Sequence, residues 1–141
     1  MITRPHNSLL GWLFGRRQIL VEANLPGPGL FAIDVVGELQ YQDTIEIAAG
    51  GRTEDGCNVL VDAILILDDS NPHDDQAVQV RIDGRVVGYL SRENARNYRR
   101  ELAAIGHPEI TARCQAKIVG GWDRGPDDRG YFGVKLDLPP G

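Results

Sequence analysis

Between Phe31 and Leu138 the apolar positions fall into short runs broken by glycine, proline and acidic residues, the pattern of strands rather than long helices. Phe31-Ala32-Ile33-Asp34-Val35-Val36 predicts a strand that stops at Gly37. Asp43 to Ala49 predicts a short helix closed by Gly50-Gly51, with Asp43 as its cap and Glu46, three residues on, completing a capping box. Asn58 to Leu67 is long and rich in Val, Ile and Leu, so it predicts a buried strand, and the acidic loop Asp68 to Asp75 follows it. Val78, Val80 and Ile82 then alternate with Gln79, Arg81 and Asp83. Asp83-Gly84 leads into Arg85 to Leu90, which predicts a hairpin because Asp-Gly supplies the positive φ angles of a two-residue turn.

Ser91 precedes a segment in which Ala95, Tyr98, Leu102 and Ile105 recur at helical spacing and Gly106 stops the run. This predicts one amphipathic helix with Ser91 as its N-cap. Glu109 to Val119 and Gly130 to Leu138 predict two further strands, joined by a long polar turn from Gly120 to Arg129. A mainly β chain of about six strands and two short helices is expected to curl into a small, partly closed β barrel, which hides most strand edges.

The 141 residues suffice for one domain that needs no metal or disulfide staple, and 17 glycines with 8 prolines match a turn-rich β fold. Residues 1–29 read as an appendage or linker ahead of a domain at 30–141, because Leu25-Pro26-Gly27-Pro28-Gly29 cannot continue a regular element. Within it Trp12 and Phe14 form an apolar cluster able to dock on the domain or a partner. The run Leu9 to Phe14 is too short to span a bilayer and lacks the layout of a secretory signal, so a soluble, cytoplasmic protein with no membrane partner is expected. Cys57 and Cys114 form no CxxC pair, which favours reduced thiols while leaving one bridge open.

Charge is uneven along the chain. Positions 31–84 hold twelve acidic residues against two basic, whereas positions 85–124 hold eight basic against four acidic. A local basic face on a chain of net charge −5 suits a short phosphate site and argues against wrapping long DNA by bulk electrostatics; the alternative is a solvated helix laced with Arg/Glu pairs. The Asp68 to Asp75 loop fails the EF-hand spacing, since the sixth position counted from Asp69 is Asp74 rather than glycine. His73 beside Asp74 is a poor base and orienter pair, and no GxSxG, Cys-His signature or phosphate loop is present. No catalytic residue, metal site or cofactor is predicted, and the chain reads as a non-enzyme.

Several features occur together in order: Val35-Val36-Gly37 followed by Tyr41, Asn71-Pro72-His73-Asp74 with Ala77-Val78-Gln79-Val80, then Gly84 and Val87-Gly88-Tyr89-Leu90. In this the segment from about Phe31 to Leu138 resembles the HIRAN domain. The resemblance implies an OB-like barrel, usually found on helicases acting at damaged DNA and stalled forks and also as small standalone bacterial proteins. Better-understood members capture the 3′ end of single-stranded DNA. No helicase segment is present here, so any catalysis would belong to a partner such as a helicase or another repair protein.

Carried over position by position, the resemblance implies a stacking role for Tyr41, a loop role for Asn71 and a hydroxyl-binding role for Asp74. His73 stands where the family has a second stacking tyrosine. Tyr89 occupies the Gly-aromatic-Leu position, Arg92 is placed to meet a backbone phosphate, and Phe132 in the last strand is a further base contact. Stacking on an aromatic platform is worth about 1–3 kcal/mol per base, and a carboxylate accepts well from a terminal hydroxyl. Each residue also has a purely structural alternative: Tyr41 and Tyr89 as core aromatics, Asn71 and Asp74 as partners for loop backbone. The expected function is a non-catalytic module binding single-stranded DNA ends in repair or at replication forks; the alternative is a protein-interaction domain that keeps the fold without the DNA site.

Overall fold

The computed structural model describes residues 12–14 and 17–139. Nine strands occur among them: β1 (Trp12–Phe14), β2 (Arg17–Ile19), β3 (Ala23–Asn24), β4 (Ile33–Asp34), β5 (Cys57–Asp68), β6 (Ala77–Ile82), β7 (Arg85–Tyr89), β8 (Ala112–Gly120) and β9 (Phe132–Leu136). Two helices, α1 (Gln42–Ala49) and α2 (Arg92–Ala104), and a 3-10 turn at Glu38–Tyr41 complete the fold. Six strands form a curled sheet in the order β4-β9-β8-β5-β6-β7, antiparallel throughout, which is an OB-like, partly closed barrel.

Strand alternation builds the interior. Ala112, Cys114, Ala116 and Ile118 of β8 and Phe132, Val134 and Leu136 of β9 point inward and are buried, while the residues between them face out. Asp83 and Gly84 both have positive φ, as a hairpin turn matched to strand twist requires, and a bulge at Val80/Arg81 bends the hairpin. Ser91 caps α2 by accepting from the Asn94 backbone N–H at 3.1 Å, and Ala95, Tyr98 and Leu102 bury one face of that helix against the barrel. Ile105 lies past the last helical turn and is exposed, so the apolar stripe ends one position earlier than its spacing predicts.

The curl closes at a seam. Val35 donates its N–H to the Val134 carbonyl (2.9 Å), still paired with β9. The next residue, Val36, turns to the opposite edge and exchanges both backbone bonds with Tyr89 (2.8 and 2.9 Å). Gly88 makes this approach possible: its φ is 153°, and a Cβ there would sit 2.5 Å from the Val36 carbonyl oxygen and 2.4 Å from a Val35 methyl.

Four further expectations change. The strand expected at Phe31–Val36 contracts to β4, because Phe31 takes a positive φ of 48° and Val36 leaves for β7. The strand expected from Glu109 begins at Ala112. α1 starts at Gln42 with no side-chain cap, so the capping box is absent; Glu46 instead meets Arg52 at 3.0 Å. Residues 19–25, assigned by sequence to an appendage, dock on the barrel. There β3 pairs in parallel with β8, and Ile19 and Val21 cover Ile64 on its outer face. The side chains of Trp12 and Phe14 lie outside the described residues. Cys57 and Cys114 are free thiols, and no helix among the described residues is long and apolar enough to cross a membrane.

Replacing Gly88 by alanine is expected to lower stability by about 2 kcal/mol or more, since it combines a glycine-only backbone conformation with a backbone clash at the seam. Urea unfolding of the variant and the parent chain measures this.

Candidate nucleic-acid interface

The seam sets the position of the two tyrosines. Gly37, with φ of 75°, reverses the chain from Val36 into the 3-10 turn that ends at Tyr41. Gln42 then fastens this turn to β9 like an added strand residue: its Oε1 accepts from the Phe132 N–H (2.7 Å) and its Nε2 donates to the Phe132 carbonyl (2.9 Å). Tyr41 is thereby held beside Tyr89, the residue on the other side of the seam, and both remain half-buried. Burial pushes the Tyr41 phenol above its ordinary pKa, and the adjacent Tyr89 hydroxyl adds to the shift. Gln79, opposite Tyr89 in the hairpin, donates to the Tyr89 hydroxyl at 3.4 Å.

A second group gathers around the loop before β6. Asn71 Oδ1 accepts from the backbone N–H groups of His73 (2.9 Å) and Asp74 (3.2 Å), while its amide donates to Asp68 (3.2 Å). Asn71 is therefore a brace for loop backbone. Asp74 receives both Nη groups of Arg96 at 3.0 Å, accepts from the Gln76 N–H at 3.0 Å and faces Arg92 Nε at 3.5 Å. Its carboxyl is held down to a pKa of about 2, chiefly by the Arg96 hydrogen bonds and then by the Gln76 N–H. The Asp74 side chain is only 12% exposed, whereas that of Arg92 is 71% exposed and reaches the His73 carbonyl at 3.1 Å. His73 itself is exposed. Asp74 is taken by arginines, so it does not orient His73 as a base.

Arg99 completes the attachment by donating to the Gln76 and Ala77 carbonyls (2.8 Å each) and pairing with Asp69 at 2.9 Å. This corrects the reading of the charge asymmetry. The arginines of α2 at positions 92, 96 and 99 face the acidic loop within the same molecule, so the basic helix and the acidic loop largely neutralise one another. The periodic arginines were visible in the sequence, but nothing local to them revealed that residues 68–77 lie alongside. Arg92 and Arg100 remain exposed, Arg100 donating to Asn97.

The seven residues singled out by sequence thus divide. Tyr41 and Tyr89 form one group, and Asn71, His73, Asp74 and Arg92 form the other; the short connection Tyr89-Leu90-Ser91-Arg92 links the two. Phe132 falls outside both. It is 1% exposed in the core, with Arg52 over its ring at 4.9 Å, so it cannot stack on a base. The residue before it, Tyr131, lies just outside β9 and is exposed. Among the described residues no three His, Cys, Asp or Glu side chains converge to hold a metal ion. Compared with known proteins, the chain matches no family model, no curated protein and no solved structure.

Because the Asp74 pKa in the folded chain lies below the unfolded value of about 4, its stabilising contribution is complete above that pH and is lost as pH falls through about 2. Asp74→Asn is expected to flatten the pH dependence of unfolding in this window, read from urea titrations between pH 5 and 2; identical slopes for the two proteins would show that the Arg96 pairing does not stabilise the fold.

Proposed function

We propose that this chain is a non-catalytic, HIRAN-like module that binds the ends of single-stranded DNA, serving a repair or replication-fork partner such as a helicase. The observation that carries the reading is the pair of half-exposed tyrosines held side by side at the barrel seam, Tyr89 being three residues before Arg92 with its exposed guanidinium. Tyrosine faces stack on any base, and an exposed arginine supplies phosphate contact without sequence preference. Exposed His73 offers a second, smaller platform. Asp74 has three acceptor positions filled at 3.0 Å and only the longer Arg92 contact on the fourth, which leaves that position as the one a terminal hydroxyl can share.

One observation favours a second reading, a protein-interaction domain. A cleft of about 150 Å³ lies between α2 and β4, walled by Leu25, Ile33, Leu90, Leu102 and Ile105. An aliphatic segment of a partner fits such walls. On this reading one partner is recovered in stoichiometric amount, Ile105→Asp abolishes its capture, and oligonucleotides do not bind at low salt.

Fluorescence anisotropy with short oligonucleotides tests the first reading. Phosphorylating the 3′ end is expected to weaken binding about tenfold, because the phosphate removes the hydroxyl donor and meets the Asp74 carboxylate. Tyr41→Ala and Tyr89→Ala each lower affinity by roughly tenfold, while Arg92→Ala reduces the salt slope by about 1. Asp74→Ala and Arg96→Ala produce similar, non-additive losses, since each removes the same clamp. Equal affinity for free and phosphorylated ends would remove end recognition from the proposal.

A further inference from the structure

Most glycines at close strand contacts in this barrel are explained by their surroundings. At Gly88 and Gly120 the φ angles are 153° and 81°, and a Cβ would come within 2.5 Å of a backbone oxygen. Gly133, in the middle of β9, is different. Its φ is not in the left-handed region, and a Cβ there would meet nothing nearer than a Val119 methyl at 3.6 Å, an ordinary contact. A glycine inside a strand is destabilising by about 0.5–1 kcal/mol relative to alanine, and strand glycines typically mark a bulge, a barrel bend or a place where a ligand or another backbone approaches closely.

What surrounds Gly133 has the chemistry of a strand-binding surface. Because Phe132 and Val134 point into the core, Gly133 and Lys135 share the outer face of β9, and Tyr131, the residue just before the strand, is 70% exposed. Lys117 lies opposite Lys135 on β8, and its ammonium sits 4.5 Å from the centre of the Phe31 ring. Phe31 is held there with a positive φ of 48°, a strained conformation for an aromatic residue. Lys135 is paired with Asp34 at 2.7 Å and keeps two further donors.

A groove of about 580 Å³ is lined by Gly133, Lys135 and the 3-10 turn, where Leu39 is exposed. That turn ends at Tyr41, so one short segment carries both a wall of the groove and a member of the tyrosine pair. Glu38 and Asp34 also line the groove, which keeps its net charge low. Its affinity for a strand must then come mainly from stacking rather than from charge.

We propose that the outer face of β8 and β9 is a second subsite for the body of the same single strand, with Tyr131 as a stacking platform, Gly133 as the floor and Lys117 and Lys135 on phosphates. The proposal rests on the nucleic-acid reading above and adds a footprint of several nucleotides to the terminal site. It predicts that Gly133 is retained for contact at a cost in stability.

The experiment compares oligo-dT of 3 and 12 nucleotides against the parent chain and the variants Gly133→Ala, Gly133→Val, Tyr131→Ala and Tyr41→Ala, with melting temperatures measured in parallel. The expected result is that 12-mers bind the parent about tenfold more tightly than 3-mers. Gly133→Val and Tyr131→Ala abolish that gain without changing 3-mer binding, Gly133→Ala reduces it, and Gly133→Ala melts at or above the parent temperature. Tyr41→Ala weakens both lengths. Tight 3-mer binding with no gain in length, or a gain untouched at Gly133 and Tyr131, overturns the second subsite and leaves the end-binding reading in place. No binding of either length overturns both.

Discussion

The two-way backbone exchange between Val36 and Tyr89 organises everything on this side of the barrel. It joins the first and last strands of a six-stranded sheet that would otherwise present two open edges, and it does so at a single residue pair. A single pair suffices because Gly88 allows the two backbones to meet, and because Val35 stays bonded to β9 while Val36 crosses over. The tyrosines flank that pair, and Gln42 locks the turn carrying Tyr41 onto the Phe132 backbone. The candidate site is therefore built on the closure of the barrel rather than on a mobile loop, the kind of support that fixes side-chain geometry.

Electrostatics here serve the fold first. Arg96 and Arg99 hold the loop before β6 against α2 through carboxylates and carbonyl oxygens, and Asp74 remains ionised down to about pH 2 as a result. Little positive charge is left free on that face. On the proposed function, binding at this face depends on aromatic area with Arg92 as a point contact, in keeping with a net charge of −5 over the whole chain.

Local chemistry was legible wherever the determining groups are close in sequence. The Asp83-Gly84 turn, the Ser91 cap, the glycine stop after α1 and the alternation that hides Val78, Val80 and Ile82 all follow from neighbouring residues. Where a long-range partner competes, local reading failed. Glu46 has the spacing of a capping box but is drawn to Arg52, and Val36 carries a strand pattern but pairs across the seam. Phe132 is a base contact only by the family resemblance, since an aromatic in the final strand can face either way. The register Gly120 to Phe132 turned it inward and left Tyr131 outside, since a shift of one residue exchanges the faces.

By itself, then, the order of residues determined the mainly β class, the hairpin, both helices and the set of residues worth inspecting, because backbone propensity, caps and two-residue turns act over a few positions. Tertiary structure alone decided which of those residues share a surface. It docked residues 19–25 on the barrel, set the arginines of α2 against the acidic loop, placed Tyr41 beside Tyr89 across 48 positions of chain and left Gly133 uncrowded in a groove that Lys135 also lines. Each of these rests on contacts between segments remote in sequence, and their energies depend on distance and burial, which a linear pattern does not contain.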